Sequence, residues 1–339
     1  MDRRFFLRML AGAGSIVALG SSACGKRAAT AIGTQAVPSG SKPPAGGATA
    51  TAGKIGKNRH NPHPVDGLDC VLSQGSDPAA MLKAGLQPYG GIGSFVHQGD
   101  VVVLKPNLAW ARSPEQAANV QPAVLVAIIK ACREAGAKEI LVVEHACDTA
   151  AAAFELSGAR DACKSAGVQL VAIENESMYA KTPLAQGVNL KQDQISRDIL
   201  DADVYINVPC CKVHSASVVT LSMKNQMGAI WRPQDYHEAS SQFQSSGNLH
   251  QNIVDLASGL RPTLVICDAT HALVTNGPKG PGKVTTPKSL VISPDFVAAD
   301  AVACGLMGIK PETVAHITLA EKAGLGRATG LTVKRVQAT

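Results

Sequence analysis

The 339-residue chain has 32 Lys and Arg against 26 Asp and Glu, a net charge of +6, with 45% hydrophobic and 17% charged residues. This length allows one large domain or two modest ones, and the hydrophobic content excludes global disorder. Aromatic residues are only 4% of the chain, which argues against a protein that stacks nucleic-acid bases on aromatic side chains. The mild positive charge suits a small anionic ligand and requires neither nucleic acid nor a membrane.

Residues 1–24 have the composition of an export signal. Arg3 and Arg4 stand at the charged start, an apolar stretch covers residues 9–19, and small residues follow it. The apolar stretch is too short to span a membrane comfortably. The paired arginines predict a twin-arginine signal, which the twin-arginine translocation machinery reads and which carries proteins that are already folded.

Cys24 stands where a lipoprotein cysteine would stand, but Ser21 occupies a position where such signals usually have Leu. Lipidation of Cys24 and ordinary cleavage after small residues are therefore both open. Residues 25–63 are rich in Ala, Gly, Pro, Ser and Thr and have no apolar periodicity, which predicts a disordered linker. We expect an exported protein, periplasmic or in the cell envelope, whose body is residues 64–339 and whose membrane contact is limited to a lipid anchor.

The first half of the body alternates between strand and helix patterns. A buried strand is predicted over 101–104, a helix over 121–135, a strand over 139–144, a helix over 151–167 and a strand over 168–173. This rhythm is typical of βαβ units in a parallel sheet, and the continuous β-branched runs fit a sheet that is buried on both faces.

The second half continues the alternation less regularly. The predicted elements are a helix over 195–202, a strand over 204–208, a helix or turn over 217–227, a helix over 249–260, a strand over 264–267, a strand over 289–293 and a helix over 296–307. The polar stretch 228–247 is long for a compact domain and predicts a lid or binding loop. Together these elements predict a mixed, mainly parallel sheet with helices on both faces, a Rossmann-like three-layer α/β fold in one body or two lobes.

Polar side chains recur where these predicted strands end. They are Lys105 and Asn107 after the first strand, Glu144 and His145 after the second, Cys210, Lys212 and His214 after the strand at 204–208, and Asp268 after the strand at 264–267. Ligands of open α/β sheets bind beyond the carboxyl ends of the strands, so we expect these side chains to form one site.

Lysine and asparagine pairs in this set point to an anionic ligand. Lys105 and Asn107 form one pair, and Lys224 and Asn225 form a second pair. Lysine supplies a point charge and asparagine a neutral donor and acceptor, which together suit a carboxylate or phosphate. The glycine-rich segment 276–282 lacks the spacing of a phosphate loop and is predicted to close over the site.

Lys212 and His214 are two residues apart, so an extended backbone places both on one side. A neighbouring cation lowers the pKa of a histidine and keeps it neutral, ready to accept a proton. We therefore predict His214 as a general acid and base assisted by Lys212, with Asp268 positioning it or binding a metal.

A metal centre is the alternative use of the same residues. Cys210 alternates onto the side of Lys212 and His214, whereas Cys211 points away. The candidate ligands are His214, Cys210, His237 and His250, with His145 and Cys147 as further donors that folding would have to bring in. Because no CxxC pair and no four-cysteine cluster occur, a self-contained iron–sulfur cluster is not supported.

These motifs, in this order, resemble the family called domain of unknown function 362, over roughly residues 65–310. The matching pieces are Lys105-Pro106-Asn107-Leu108, Ala135-Gly136-Ala137, Ser157-Gly158, Ala202-Asp203-Val204, Asn207-Val208-Pro209, Lys212 and His214, Thr220, Lys224-Asn225 and Gly228, His237, His250 with Ile253 and Asp255, Asp268-Ala269, Gly277-Pro278, Ser293 with Asp295, and Asp300-Ala301. The resemblance implies an α/β fold and, through relatives fused to ferredoxin-type domains, a divalent metal or an iron–sulfur cluster in redox chemistry. Cys210-Cys211 departs from the family pattern.

Three functions remain open at this point. The first is an enzyme that acts on a small carboxylate or phosphate through the Lys, Asn and His residues. The second is an exported metal- or cluster-associated protein with a redox partner. The third is a non-catalytic binding module that uses the same cationic cleft. None of them involves nucleic acid.

Overall fold

A computed structural model of the protein describes residues 67–237 and 248–339. The predicted signal over 1–24, Cys24 with it, and the linker over 25–63 lie outside the described residues. All described residues belong to one compact unit, which favours one body over two lobes.

The strands of the described residues are β1 (Cys70–Gln74), β2 (Val101–Pro106), β3 (Glu139–Glu144), β4 (Gln169–Ala172), β5 (Tyr179–Pro183), β6 (Gln192–Ser196), β7 (Val204–Val208), β8 (Cys210–His214), β9 (Val218–Thr220), β10 (Leu264–Leu273), β11 (Val284–Thr285), β12 (Ser289–Ser293) and β13 (Val333–Gln337). The α-helices are α1 (Pro78–Leu86), α2 (Pro122–Glu134), α3 (Ala150–Leu156), α4 (Ala159–Ser165), α5 (Arg197–Asp201), α6 (Ser222–Asn225), α7 (Leu249–Gly259), α8 (Phe296–Leu306) and α9 (Ala315–Lys322). Within this part of the chain, none of the helices has both the length and the apolar character needed to cross a bilayer.

The main sheet is mixed and mostly parallel, as the sequence predicts. Its strand order is β13-β1-β12-β10-β7-β2-β3-β4, with β8, β9 and β11 attached to it beyond β10. The neighbours from β10 through β7, β2 and β3 to β4 are parallel, whereas β12 runs antiparallel to both β1 and β10. The carboxyl ends of β2, β3 and β7 therefore meet at one edge of the sheet, where the site lies.

Alternation along the strands places one hydrophobic core on each face of the sheet. Val102 and Leu104 of β2 belong to one core, and Val103 between them belongs to the other. Helices α1 to α4 contribute to the first core through Leu82, Ile128, Phe154 and Cys163, and helices α7 to α9 contribute to the second through Ile253, Phe296 and Ile317. This is the three-layer arrangement that the strand and helix patterns predict.

Four predicted elements differ from the structure. The first part of the helix or turn predicted over 217–227 forms β9, which pairs with β8 before α6 begins. The helix predicted over 151–167 is two helices, because Gly158 adopts a left-handed φ of 74° between α3 and α4. The helix predicted over 195–202 begins only at Arg197, because residues 192–196 form β6 against β5. The strand predicted over 264–267 continues to Leu273, because β12, β8 and β11 pair with it beyond Asp268.

Candidate anion-binding cavity

A cavity of about 500 Å³ lies at the carboxyl ends of β2 and β3 and beside β8. Its walls contain seven of the residues predicted from the sequence, namely Lys105, Asn107, Lys212, His214, Lys224, Asn225 and His237. Glu144, His145, Cys147, Trp110 and Thr220 line it as well. These residues come together because the ends of β2 and β3 lie next to each other in the sheet and β8 lies beside them.

Lys105 and Glu144 form a buried ion pair at the base of the cavity. Lys105 Nζ lies 2.9 Å from Glu144 Oε1 and 3.0 Å from Oε2, and both side chains are 1% exposed. Glu144 Oε2 also accepts a hydrogen bond from the Leu108 amide at 2.8 Å. Burial lowers the pKa of Lys105 and raises that of Glu144, and their mutual contact opposes both shifts. Breaking such a pair by removing one partner is strongly destabilising.

Two asparagines connect this pair to Lys212. Asn225 Oδ1 accepts hydrogen bonds from Lys105 Nζ at 2.8 Å and from Asn107 Nδ2 at 2.9 Å. Asn107 Oδ1 in turn accepts one from Lys212 Nζ at 2.8 Å, and Lys212 also donates to the Ala118 carbonyl. The predicted substrate-binding asparagines thus use much of their hydrogen-bonding capacity within the protein and hold the two lysines in place.

Gly228 allows the loop after α6 to approach this network. A Cβ atom at Gly228 would lie 1.9 Å from Glu144 Oε1 and 2.6 Å from Lys105 Nζ. The Gly228 carbonyl accepts a hydrogen bond from the His145 amide at 3.1 Å, which joins the loop to the end of β3. Only glycine allows the backbone at position 228 to lie this close to the side chains of Glu144 and Lys105.

Lys224 differs from the other two lysines of the cavity in its contacts. Within residues 67–237 and 248–339, its ammonium group makes no hydrogen bond or ion pair, although the side chain lines the cavity. Burial, with Lys212 and Lys105 as smaller contributors, lowers the pKa of Lys224 to about 8. Lys224 therefore remains mostly protonated at neutral pH and presents a positive charge to the cavity.

His214 ends β8 at the rim of the cavity and is held by the turn that follows it. Its Nδ1 accepts hydrogen bonds from the backbone amides of Ala216, at 3.0 Å, and Ser217, at 3.3 Å. Its ring stacks on that of His237, with centroids 5.9 Å apart and planes inclined by 16°. Burial, followed by the charge of Lys224, lowers the pKa of His214 to about 3 and that of His237 to about 4. Both rings are therefore neutral at physiological pH.

His145 follows β3, and two groups near its Nδ1 atom fix the orientation of its ring. Its Nδ1 lies 2.9 Å from the Tyr179 hydroxyl oxygen and 3.1 Å from the Ile230 carbonyl oxygen. Burial lowers the pKa of His145, so this ring is also neutral at physiological pH. Two residues on, Cys147 also lines the cavity, where desolvation of its thiol, followed by the charge of Glu144, raises its pKa despite the lysines around it.

Asp268 lies outside the cavity lining, in contrast to its predicted role beside His214. Since β10 continues to Leu273, Asp268 is in the middle of a strand. Its carboxylate accepts hydrogen bonds from the Gln121 amide at 2.7 Å and from the Thr270 amide and hydroxyl at 2.9 and 2.6 Å. These contacts anchor the start of α2, and the residue is 1% exposed, so we assign it a structural role.

The four predicted metal ligands do not gather around one point. Cys210 Sγ contacts Asn107 Oδ1 and the Ala118 carbonyl at 3.6 Å each, and Cys211 Sγ contacts the Ala303 carbonyl on the other face of the sheet. His250 pairs with His316, with 3.0 Å between their Nδ1 atoms. No group of three or more His, Cys, Asp or Glu side chains suited to a metal occurs in residues 67–237 and 248–339. The described residues therefore do not fit the metal or cluster site that the sequence resemblance implies.

The glycine-rich segment 276–282, which the sequence predicts to close over the site, contributes one residue to the cavity wall. Pro278 is part of the cavity wall, and a Cβ at Gly277 would meet the Val213 carbonyl at 1.9 Å. Lys279 Nζ lies 5.5 Å from the centroid of the Trp110 ring, and the Lys279 carbonyl accepts a hydrogen bond from Arg112 Nε at 3.1 Å. These contacts hold the segment, which connects β10 and β11, against Trp110 and Arg112.

The sequence places Glu144 and His145 at the end of a predicted strand and offers His145 and Cys147 as further metal donors, but the predicted roles do not include the ion pair of Glu144 with Lys105 or a place for Cys147 in an anion cavity. The feature of the sequence that indicates the ion pair is a carboxylate at the end of β3 and a lysine at the end of β2, because the ends of adjacent parallel strands lie side by side. Thr220 carried no such signal, and its buried hydroxyl finds no hydrogen-bond partner among the described residues.

Comparison with known proteins shows relatives of this chain. A thylakoid-associated protein of Synechocystis sp. is 29% identical over 249 residues, which cover 73% of this chain and 75% of that protein. A crystal structure of a Thermotoga maritima protein is 14% identical, with a TM-score of 0.43, and lactate racemase apoprotein from Thermoanaerobacterium thermosaccharolyticum is 12% identical, with a TM-score of 0.45. The matches cover 69% and 70% of this chain but only 60% and 57% of those two solved chains.

The family described as domain of unknown function, DUF362, matches residues 102–305. This range contains the strands β2, β3, β7 and β8 and every residue that lines the cavity. The chain belongs to the DUF362 family.

Proposed function

We propose that the protein is an enzyme that binds a small carboxylate or phosphate anion in this cavity. The observation that carries the proposal is Lys224, a lysine with an ammonium group that faces the cavity without a hydrogen-bond or ion-pair partner in the described residues. A buried cation without a counter-charge is costly, and a bound anion supplies that charge.

The surroundings of Lys224 support an anion over a neutral ligand. The cavity contains Lys105, Lys212 and Lys224 against the carboxylate of Glu144, which pairs with Lys105. Lys212 is fully buried, and its two hydrogen-bond acceptors are an amide oxygen and a backbone carbonyl, both uncharged. The site therefore carries a net positive charge that is focused in a low-dielectric space.

Thr220 adds a neutral donor at the same wall. Its side chain is 4% exposed and lines the cavity, and its hydroxyl has no hydrogen-bond partner among the described residues. A buried hydroxyl is normally satisfied, and an anionic oxygen in the cavity would accept its hydrogen bond. A catalytic role is supported by the neutral rings of His145, His214 and His237, which can exchange protons with a bound molecule.

The experiment is a binding measurement on the full-length protein. Pyruvate, oxalate and inorganic phosphate are titrated into the protein by calorimetry, and Trp110 in the cavity wall offers a fluorescence signal. We expect Lys224→Met to weaken binding roughly 10- to 100-fold, the value of a lost charged hydrogen bond. Lys130→Met removes a lysine from the exposed face of α2 and is the matched control. Equal affinities for the wild-type protein and Lys224→Met would refute the proposal.

We also propose that the protein is exported in the folded state. The support is the sequence Arg3-Arg4 ahead of an apolar stretch. Cys24 is the position at which we place a lipid anchor. Metabolic labelling with a fatty acid, compared with Cys24→Ala, tests the anchor.

A further inference from the structure

The two histidines at the ends of β3 and β8 hold their protons on opposite ring nitrogens. For His145, the Ile230 carbonyl at 3.1 Å from Nδ1 can only accept a hydrogen bond. Tyr179, whose hydroxyl oxygen lies 2.9 Å from the same nitrogen, donates its own proton to the Ile173 carbonyl at 2.5 Å. Nδ1 of His145 must therefore carry the proton, and Nε2 keeps a lone pair.

His214 has the reverse arrangement. The amides of Ala216 and Ser217 can only donate, and both donate to Nδ1 of His214. A neutral ring that accepts at Nδ1 carries its proton on Nε2. Because burial keeps both histidines neutral at physiological pH, these hydrogen bonds fix one tautomer for each ring.

The Nε2 atoms of His145 and His214 are the ring nitrogens available to a ligand in the cavity. Both residues line the cavity, and within the part of the chain that the structure describes, the hydrogen bonds of both rings all involve Nδ1. His145 therefore offers the cavity a lone pair, and His214 offers it an N–H group. The sequence predicts His214 as a general acid and base; here its Nδ1 already accepts two backbone amides, so its Nε2–H group is what it offers the cavity.

We infer that His145 is the proton acceptor of the cavity and His214 its neutral hydrogen-bond donor, so that the site removes a proton next to the carbonyl group of a small oxocarboxylate. The inference rests on the proposed function, since Lys224 would hold the carboxylate. A neutral imidazole that donates to an oxygen on which charge develops is an established way to stabilise an enolate.

The step is balanced without an oxidant. The C–H bond next to the carbonyl breaks, and its proton forms a bond to Nε2 of His145. The electron pair forms the C=C bond of the enolate, and the negative charge moves to the former carbonyl oxygen, which accepts the His214 N–H group. Return of a proton from His145 to the carbon, after exchange with water, regenerates the ketone. Deuterium from the solvent is therefore incorporated into the substrate.

The tautomers are tested directly by ¹⁵N NMR of the full-length protein labelled at histidine, with His145→Gln and His214→Gln used for assignment. We expect the Nδ1–H form for His145 and the Nε2–H form for His214 at pH 7. An Nδ1–H form or a protonated ring at His214 would overturn the inference, whether or not an anion binds.

The reaction is tested with pyruvate in D₂O, by following loss of the methyl proton signal. Glutamine replaces Nε2 of histidine with a group that donates but does not accept a proton. We therefore expect His145→Gln to lose at least about 100-fold in exchange rate, the usual contribution of a general base. His214→Gln retains a donor and should lose no more than about tenfold, whereas His214→Met should lose more.

The outcomes separate the two proposals. If pyruvate binds to the wild-type protein but its protons do not exchange, the oxocarboxylate reaction is wrong and the anion site stands. If none of the anions binds, the proposed function fails and the inference fails with it. If His214→Gln is the inactive variant and His145→Gln the active one, the two roles are reversed and the inference is refuted.

Discussion

Lys224 makes the affinity for an anion depend on pH in a direction that the structure fixes. Burial lowers the pKa of Lys224 to about 8 in the empty cavity. An anion favours the charged ammonium, so it raises this pKa and binding takes up a proton above neutral pH. Affinity should therefore be high below pH 8 and should fall as the pH rises through that value.

The magnitude follows from the titration of one group. With a pKa of about 8, roughly nine tenths of Lys224 is protonated at pH 7 and roughly one tenth at pH 9. If only the protonated form binds, the Kd rises about tenfold between these two pH values. Calorimetry in buffers of different ionisation enthalpy should show uptake of about half a proton at pH 8.

The two stacked histidines near Lys224 do not titrate in this window. His214 and His237 have pKa values of about 3 and about 4 and stay neutral throughout, and burial raises the pKa of the Cys147 thiol. Pyruvate is a suitable probe because its carboxylate does not titrate in this range. Lys224→Met should remove the pH dependence, and Lys130→Met should preserve it.

Thermal unfolding of Lys224→Met shows whether a loss of binding in this variant results from misfolding. Lys224→Met removes a buried charge, so the ligand-free variant should unfold at a higher temperature than the wild-type protein. A Kd for pyruvate that stays constant from pH 7 to pH 9 in the wild-type protein would refute the reasoning. An unchanged pH dependence in Lys224→Met would refute it equally.

Three further predictions concern the loops around the cavity and the signal. Gly228→Ala places a Cβ atom in the Lys105–Glu144 ion pair and should lower the free energy of unfolding in urea by about 3–5 kcal/mol, with loss of anion binding. Gly305→Ala, whose Cβ atom would have nothing within 4 Å, is the control. Equal stability of the two variants would contradict the prediction. Val218 has a φ of 67°, which is strained for a β-branched residue, so Val218→Gly should raise the free energy of unfolding by up to about 1 kcal/mol, and a decrease would argue against stored strain. Replacement of both Arg3 and Arg4 by lysine keeps the charge of the signal but should retain the protein in the cytoplasm, as judged by cell fractionation, and normal export would favour an ordinary secretory route.

The sequence predicts the fold well where a strand is buried on both faces. The patterns at 139–144, 204–208 and 289–293 match β3, β7 and β12 residue for residue, because continuous β-branched runs have few alternative structures. It gives no sign that β12 is antiparallel to its neighbours, and β1 and β13 were not predicted. Such pairings depend on contacts between distant segments, which a local pattern does not contain.

The candidate site was predictable to the extent that parallel strands align their ends. Lys105, Lys212 and Lys224 do meet in one cavity, although they are more than a hundred residues apart at the extremes. Asp268 shows the limit of this reasoning. Its strand continues for five more residues to Leu273, and the length of a strand depends on which partners extend beside it.

The three lysines look equivalent in the sequence, and their surroundings divide them into two kinds. Lys105 is neutralised by Glu144, and Lys212 is held by Asn107 and a backbone carbonyl, so both are fixed parts of the cavity base. Lys224 has no such partner in the described residues and a pKa close to neutral. The fixed positive charge at the floor of the cavity makes the ligand-free state less stable. It also contributes to the lowered pKa of Lys224. A bound anion supplies the counter-charge that Lys224 lacks among the described residues, which is why the proton taken up on binding should be traceable to Lys224.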